Sequence, residues 1–143
     1  MNKTGCMTAQ EAQFNRLPIQ KAEDVVLVRQ AVRALAISAG LGLVDQTKIV
    51  TAASELSRNT LIHGGGGWAF LGLVENGRHR GVQLTFEDEG PGIPNIEKAM
   101  QDGYTTGSGL GLGLGGAKRL SNEFAIESQP GKGTRITITR WTL

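Results

Sequence analysis

A glycine-dense segment that runs directly into a helical pattern is the feature that most constrains this chain. Six of the ten residues from Gly107 to Gly116 are glycine, and the helix-forming letters AKRL follow at once. Glycine loses more backbone freedom on folding than any other residue, so this density is costly unless the backbone must approach something closely. Glycines ahead of a helix leave N–H groups aimed at one point, which favours an anion site, typically for phosphate. A flexible linker is the alternative interpretation.

Other glycine motifs do not fit this segment. Gly111, Gly113 and Gly116 satisfy the spacing G-x-G-x-x-G, but the polar letters QDGYTTGSG precede them where a dinucleotide fold needs a strand. The sequence contains no G-x-x-x-x-G-K-[ST], no H-R-D or D-F-G, and no G-x-S-x-G. A P-loop, a conventional protein-kinase fold and a nucleophile elbow are therefore not predicted.

Length and composition favour a single domain with one hydrophobic core. The chain has 143 residues, of which 39% are hydrophobic, and its formal charge is only +2. We expect a polar tail over residues 1–13, one domain over residues 14–143, and no nucleic-acid partner, since the basic residues are scattered. Cys6 is the only cysteine, and no apolar run approaches the ~18 residues of a membrane helix. These features predict a cytoplasmic protein without a membrane partner.

The order of the predicted helices and strands favours an α+β two-layer sandwich over a βαβ array. Two helices come first, with Asp45 as the N-cap of the second, and a hairpin of two strands follows. The predicted helices cover residues 22–40, 43–67, 93–100 and 112–124. The predicted strands are an edge strand over 14–20, a hairpin over 68–76 and 80–90, and two strands within 123–143.

Glu55 and Asn59 form the first candidate site. Their i, i+4 spacing places both side chains on one face of the second helix, beside its apolar stripe. A carboxylate and an amide at the border of a core are costly to bury without partners. One interpretation is a general base with an oxygen ligand for Mg²⁺. The other is an ordinary polar pair on a partly exposed helix.

The letters FEDEGPGIP form the second candidate site. A predicted strand ends in acids and continues directly into Gly90, Pro91 and Gly92. Glycines allow a backbone to approach a ligand, and Asp88 at the end of the strand would face that ligand. A tight turn after a strand is the alternative, because proline and glycine also favour turns.

In order along the chain, these motifs resemble the GHKL ATPase superfamily with its Bergerat nucleotide-binding fold. The set is E-x-x-x-N on a helix, D-x-G-x-G after a strand, a glycine-rich lid with a helix, and G-T in a final strand. The likeness covers roughly residues 20–140, and it implies a mixed or antiparallel sheet that is covered on one face by helices. Within the superfamily, SELSRNTLIHGGGG, EDEGPGIPNIEKAMQDGYTTGSGLGLGLGGAKRL and GKGTRITITRW are most similar to the stand-alone anti-sigma-factor serine/threonine kinases of the RsbT type, which act in stressosomes.

The resemblance implies a role for each matching residue. Glu55 would orient or deprotonate the attacking hydroxyl and Asn59 would hold Mg²⁺, so these are the predicted catalytic residues. Asp88 would accept a hydrogen bond from the adenine amino group, Thr134 would help to hold adenine, and residues 101–109 would form a lid. The predicted ATP-binding residues are Asn59, Asp88, Gly90, Gly92, Thr105, Gly109, Leu110, Gly111, Leu112, Gly113 and Thr134.

The family resemblance also implies partners. It predicts Mg-ATP-dependent phosphorylation of a STAS-domain antagonist, with a PP2C-type phosphatase or a sigma factor downstream. Two other interpretations stay open: an anti-sigma factor that acts chiefly by sequestration, with ATP as a structural ligand, and a kinase fold that has lost activity. Arg58, His63 and Lys118 are candidate phosphate or partner contacts, and a solvent-exposed or helix-end role is the alternative for each.

Overall fold

The computed structural model describes residues 14–101 and 113–142, which form one antiparallel sheet with helices on one face. The helices are α1 (Ala22–Ala39), α2 (Leu43–Ile62), α3 (Ile96–Ala99) and α4 (Leu114–Arg119). The strands are β1 (Asn15–Ile19), β2 (Gly67–Asn76), β3 (His79–Asp88), β4 (Glu123–Gln129) and β5 (Gly133–Trp141).

The two long helices bury the apolar stripes that their spacing predicts. On α2, Ile49, Ala52 and Leu56 are fully buried. Helix α1 starts where the Asp24 carboxylate accepts hydrogen bonds from the backbone N–H groups of Gln20 and Lys21, and it ends at Gly40, whose φ of 91° suits glycine. Packing of these faces against the sheet, rather than helix propensity, accounts for most of the stability of such helices.

The sheet has the order β1-β2-β3-β5-β4, and every pairing among the described strands is antiparallel. Strand β1 lies at one edge, which explains why it tolerates Pro18. Along β3, Val82, Leu84 and Phe86 are buried in the core. The alternate side chains face the other side, where Thr85 hydrogen-bonds Thr137 across the strands at 3.0 Å.

The α+β two-layer prediction is confirmed, and the sheet is antiparallel rather than mixed. The predicted N-cap at Asp45 is wrong, because α2 begins at Leu43 with Gly42 as its N-cap. Asp45 lies instead in the first turn of α2, where its Oδ1 atom accepts a hydrogen bond from Arg140 Nη2 at 2.7 Å. A carboxylate in a first turn also stabilises the helix through its dipole.

The other helix predictions differ from the structure at their ends. The glycines Gly64 to Gly67 were predicted to stop the second helix, and α2 does end just before them, at Ile62 with His63 as its C-cap. Helix α4 occupies only Leu114–Arg119 of the predicted range 112–124. Residue 112 and the predicted tail over residues 1–13 lie outside the described residues, so the tail stays a prediction. Within residues 14–101 and 113–142, no helix has the length and apolar content that crossing a membrane requires.

Candidate active site

A cavity lies between α2 and the sheet, at the end of the molecule where β3 stops. Its walls combine α2, the loop after it, β3, the loop after β3, α4 and β5. The lining residues are Leu56, Asn59, Thr60, His63, Gly64, Phe86, Asp88, Gly92, Ile93, Leu114, Thr134 and Ile136. The cavity measures about 40 Å³, which is room for only a few water molecules. Asp88 also lines two wider cavities, of about 610 and 400 Å³.

Asp88 is the one acidic side chain among the cavity residues. Its Oδ1 atom accepts a hydrogen bond of 2.9 Å from the backbone N–H of Gly90. Burial raises the pKa of the Asp88 carboxyl above its ordinary value, and the backbone N–H groups of Gly90 and Thr134 partly oppose that shift. A desolvated carboxylate that faces a cavity marks a functional-site candidate, because it can accept a hydrogen bond from a ligand with little competition from water.

Two glycines hold the Asp88 side chain in place. A Cβ atom on Gly64 would lie 2.5 Å from Asp88 Oδ2, so only glycine leaves room for the carboxylate there. A Cβ atom on Gly90 would lie 2.8 Å from the Cα atom of Gly64. Gly90 therefore packs behind the carboxylate and does not itself line the cavity.

Gly92 does line the cavity, and its conformation requires glycine. Its φ is +78°, and a Cβ atom would overlap the carbonyl oxygen of Gln129. This position brings the loop after β3 against the end of β4, where Ser128 Oγ accepts a hydrogen bond from the Ile93 N–H at 2.8 Å. Ser128 Oγ is also 2.9 Å from Thr134 Oγ1. The predicted residues Gly92 and Thr134 thus belong to one connected wall.

Asn59 and Glu55 lie one turn apart on α2, as their spacing predicts. Asn59 lines the cavity, whereas Glu55 lies beside it and its side chain is 38% exposed. Gly113, at the start of α4, has a φ of +68° and approaches Glu55 so closely that a Cβ atom would lie 2.6 Å from Glu55 Oε2. The structure therefore brings together the predicted catalytic pair and the last residue of the predicted phosphate loop.

The three basic side chains that were candidates for phosphate or partner contacts lie in different places relative to the cavity. Arg58 Nη1 lies 3.5 Å from Glu55 Oε1 in an exposed ion pair. His63 lines the cavity as the C-cap of α2. Lys118 is exposed in the last turn of α4. Of the three, only His63 lines this cavity.

Five of the predicted ATP-binding residues cannot be placed. Thr105, Gly109, Leu110, Gly111 and Leu112 lie outside the described residues. Sequence reasoning missed the roles of Gly64 and Leu114, which both line the cavity. The four-glycine run after His63 was the available signal for Gly64, but it was interpreted only as the end of a helix.

The Asn59 side chain suits a cation that takes most of its ligand atoms from a bound molecule and from water. Within residues 14–101 and 113–142, no three His, Cys, Asp or Glu side chains lie close enough together to hold a metal ion by themselves. Mg²⁺ usually takes one or two protein oxygens together with phosphate oxygens and water. One amide oxygen at the edge of a cavity fits that pattern.

The fold has counterparts among solved structures. One is a SiaB–SiaC complex from Pseudomonas aeruginosa, in which the matching chain has a TM-score of 0.52 and 16% identity, covering 90% of this chain and 88% of that chain. The nucleotide-free catalytic domain of histidine kinase ThkA matches with a TM-score of 0.51 and 16% identity, covering 90% and 95% of the two chains. At such low identity these likenesses concern the fold alone.

Sequence relatives extend over nearly the whole chain. Serine/threonine-protein kinase RsbT of Bacillus subtilis is 45% identical over 118 residues, which are 82% of this chain and 89% of RsbT. An anti-sigma F factor of Thermoanaerobacter is 33% identical over 129 residues, covering 86% and 89% of the two chains. Residues 44–142 match the family of histidine kinase-, DNA gyrase B- and HSP90-like ATPases. This match covers most of the chain, including Asp88, Thr134 and all of α2 after its first residue. The chain therefore belongs to that family of ATPases.

Proposed function

We propose that this chain is a Mg-ATP-dependent serine/threonine protein kinase that phosphorylates a STAS-domain protein in a partner-switching pathway. The kinase class follows from the family and from the extended likeness to RsbT. The observation that carries the site is the position of Glu55 and Asn59, one turn apart beside a cavity that ends in the half-buried carboxylate of Asp88. The STAS partner, the magnesium ion and the roles of single residues are parts of the proposal.

In this proposal, Asp88 accepts a hydrogen bond from the amino group of adenine. The carboxylate accepts hydrogen bonds from the backbone N–H groups of Gly90 and Thr134, and its two oxygens have room for a further donor from the ligand. Gly92 and Thr134 form the wall beside the base, and their connection through Ser128 keeps that wall in position. A guanine ring carries an oxygen where adenine has this amino group, so it would place one acceptor against another and would be rejected.

Phosphoryl transfer asks a protein mainly for positioning and for neutralisation of charge. The hydroxyl oxygen of the partner's serine or threonine attacks the γ-phosphorus, and the bond to the β,γ-bridging oxygen breaks as ADP leaves. Glu55 orients that hydroxyl and accepts its proton. Asn59 provides an oxygen ligand for Mg²⁺, which neutralises phosphate charge when it is bound.

Phosphotransfer with located product tests this function. The protein would be incubated with Mg-ATP and a STAS-domain protein encoded beside it, and the phosphate located by mass spectrometry. We expect one phosphorylated serine or threonine with the wild-type chain and none with Asn59→Ala. Transfer by Asn59→Ala at the wild-type rate would contradict the role of Asn59.

An anti-sigma factor that acts by sequestration is a second candidate, because an anti-sigma F factor is 33% identical over most of the chain. Glu55→Ala separates the two functions. For a kinase, this variant binds ATP and its partner but does not transfer phosphate. For a sequestering factor, tight binding of both would occur in the wild-type chain without transfer. In either case we place the protein in the cytoplasm, with a PP2C-type phosphatase or a sigma factor as the downstream partner.

A further inference from the structure

Glu55 lies in the middle of a straight line of side chains on the open face of α2. The members are spaced by three or four residues, so they follow one another along the same side of the helix. They span 18 residues, or about 27 Å at 1.5 Å per residue. We name this line the α2 ridge, and it consists of Val44, Lys48, Thr51, Glu55, Arg58 and Ile62.

The α2 ridge has an unusual composition for a solvent-facing helix. Its ends are apolar and exposed: Val44 is 68% exposed and Ile62 is 49% exposed. Between them lie two cations, Lys48 and Arg58, and one acid, Glu55. Exposed apolar and charged side chains along one helix face can both contact a protein partner.

Among the residues that the structure describes, α4 and the core close two sides of Glu55. Gly113 at the start of α4 lies directly against the Glu55 carboxylate, and the opposite face of α2 is buried in the core at Ile49 and Leu56. A hydroxyl that gives its proton to Glu55 must come within hydrogen-bond distance of it. A protein that carries this hydroxyl therefore has to cover the neighbouring part of the open face.

We propose that the α2 ridge is the docking surface for the phosphoacceptor protein, and that the partner presents an acidic and apolar surface around its reactive serine or threonine. This inference rests on the proposed kinase function. A stable protein interface covers about 800 Å² on each partner, far more than one carboxylate. Lys48 and Arg58 favour acidic partner groups, and Val44 and Ile62 favour apolar ones.

Val44→Asp tests the apolar end of the ridge. Val44 is in the first turn of α2, where an acidic side chain suits the helix dipole, and it lies 11 residues, about 16 Å, from Glu55. With the STAS-domain protein as substrate, we expect at least a tenfold rise in its KM, while kcat and the KM for ATP stay unchanged. The matched control is Leu27→Asp, an exposed apolar residue of α1 that is off the ridge. It should leave all three constants unchanged.

Lys48→Glu tests the charge of the ridge. We expect a rise in the KM for the STAS-domain protein and a weaker dependence of that KM on salt, because one attraction to an acidic surface has been reversed. As an independent measurement, a photo-crosslinking amino acid at position 44 should couple to the STAS-domain protein, and the same group at position 27 should not.

The outcomes separate the two proposals. If the wild-type chain transfers phosphate but Val44→Asp and Lys48→Glu keep the wild-type KM, the docking surface is wrong and the kinase function stands. If the wild-type chain phosphorylates no STAS-domain protein, both are overturned. If light scattering shows a dimer of this chain that Val44→Asp dissociates, the ridge is instead covered by a second copy, which also overturns the docking proposal.

Discussion

The cavity has two ends that are built differently. The end that we assign to the base of ATP (the base end) is lined by Asp88, Gly64 and Thr134, and burial raises the pKa of its half-buried carboxylate. At the phosphate end, formed by Glu55, Asn59 and Gly113, two side chains extend from a helix and the carboxylate is partly exposed. The difference fits the proposal that the first end holds the base of ATP and that the second faces the protein substrate.

The largest expected effect of a substitution is a loss of transfer rate at the phosphate end. Glu55→Gln keeps the size of the side chain but cannot accept a proton, so we expect the transfer rate to fall by about 10³-fold. ATP affinity should stay within a factor of two, because Glu55 does not line the cavity. Single-turnover phosphotransfer and nucleotide titration measure the two quantities. A large loss of ATP affinity would show that the two ends are not separable.

Gly64→Ala adds one carbon atom at the base end and tests how closely that end is packed. The new Cβ atom would overlap the Asp88 side chain and displace its carboxylate, so we expect ATP affinity to fall by about 100-fold. Gly42→Ala is the matched control, since a Cβ atom there has no atom within 4 Å. Isothermal titration with ATP gives both affinities, and equal losses in the two variants would contradict the packing argument.

Asp88→Asn tests the same end without changing its shape. Loss of a charged hydrogen-bond acceptor should cost about 2 kcal/mol of ATP binding, or ~30-fold in affinity. The transfer rate at saturating ATP should change much less. Retained discrimination between ATP and GTP in this variant would contradict the role of Asp88 in base recognition.

The stability of the nucleotide-free protein offers a second readout for Asp88→Asn. Because the pKa of Asp88 is raised on folding, the folded wild-type chain binds this proton more readily than the unfolded chain. The destabilisation from the buried charge is absent below the unfolded pKa of 3.8 and complete above the folded pKa. Asp88→Asn should therefore gain stability over the wild type near pH 7, and urea unfolding should show that gain disappearing in acid.

The smallest expected effect is a loss of unfolding free energy at Arg140, outside the cavity. Arg140 joins α2 to α4: its Nη2 atom contacts Asp45 at 2.7 Å, and its Nη1 atom donates to the Leu120 carbonyl at 3.2 Å. Arg140→Met leaves a mostly buried carboxylate without this partner, so we expect a loss of about 1.5 kcal/mol of unfolding free energy. Urea unfolding measures it.

Arg135→Met is the control for that measurement. Arg135 pairs with Glu87 at 3.1 Å, but its side chain is 57% exposed, compared with 13% for Arg140. Exposed ion pairs contribute about 0–1 kcal/mol, so this variant should be close to wild type. An equal loss of unfolding free energy in the two variants would mean that burial does not increase the contribution of the Arg140 pair to stability.

Local spacing predicted the parts of the site that lie close together in the chain. The i, i+4 pair Glu55 and Asn59 and the strand-to-glycine turn at Asp88 were found in this way. The contact of Gly64 with Asp88 was not predicted, because the hairpin of β2 and β3 brings these residues together. Likewise Asp45 was taken for a helix cap, since its partner Arg140 is 95 residues away. The roles of the lid over residues 101–109 and of the phosphate-loop residues before Gly113 stay predictions.

Trp68 lies next to the base end and provides a fluorescence signal there. The residue is paired with Glu87 next to Asp88, it lines the cavity of about 400 Å³ together with Asp88 and Gly64, and the Arg16 guanidinium lies 4.3 Å from its ring centroid. Indole fluorescence responds to nearby charge and to solvent. The only other tryptophan is Trp141, at the far end of β5, so Trp141→Phe would leave a single emitter whose spectrum follows nucleotide entry without any added dye.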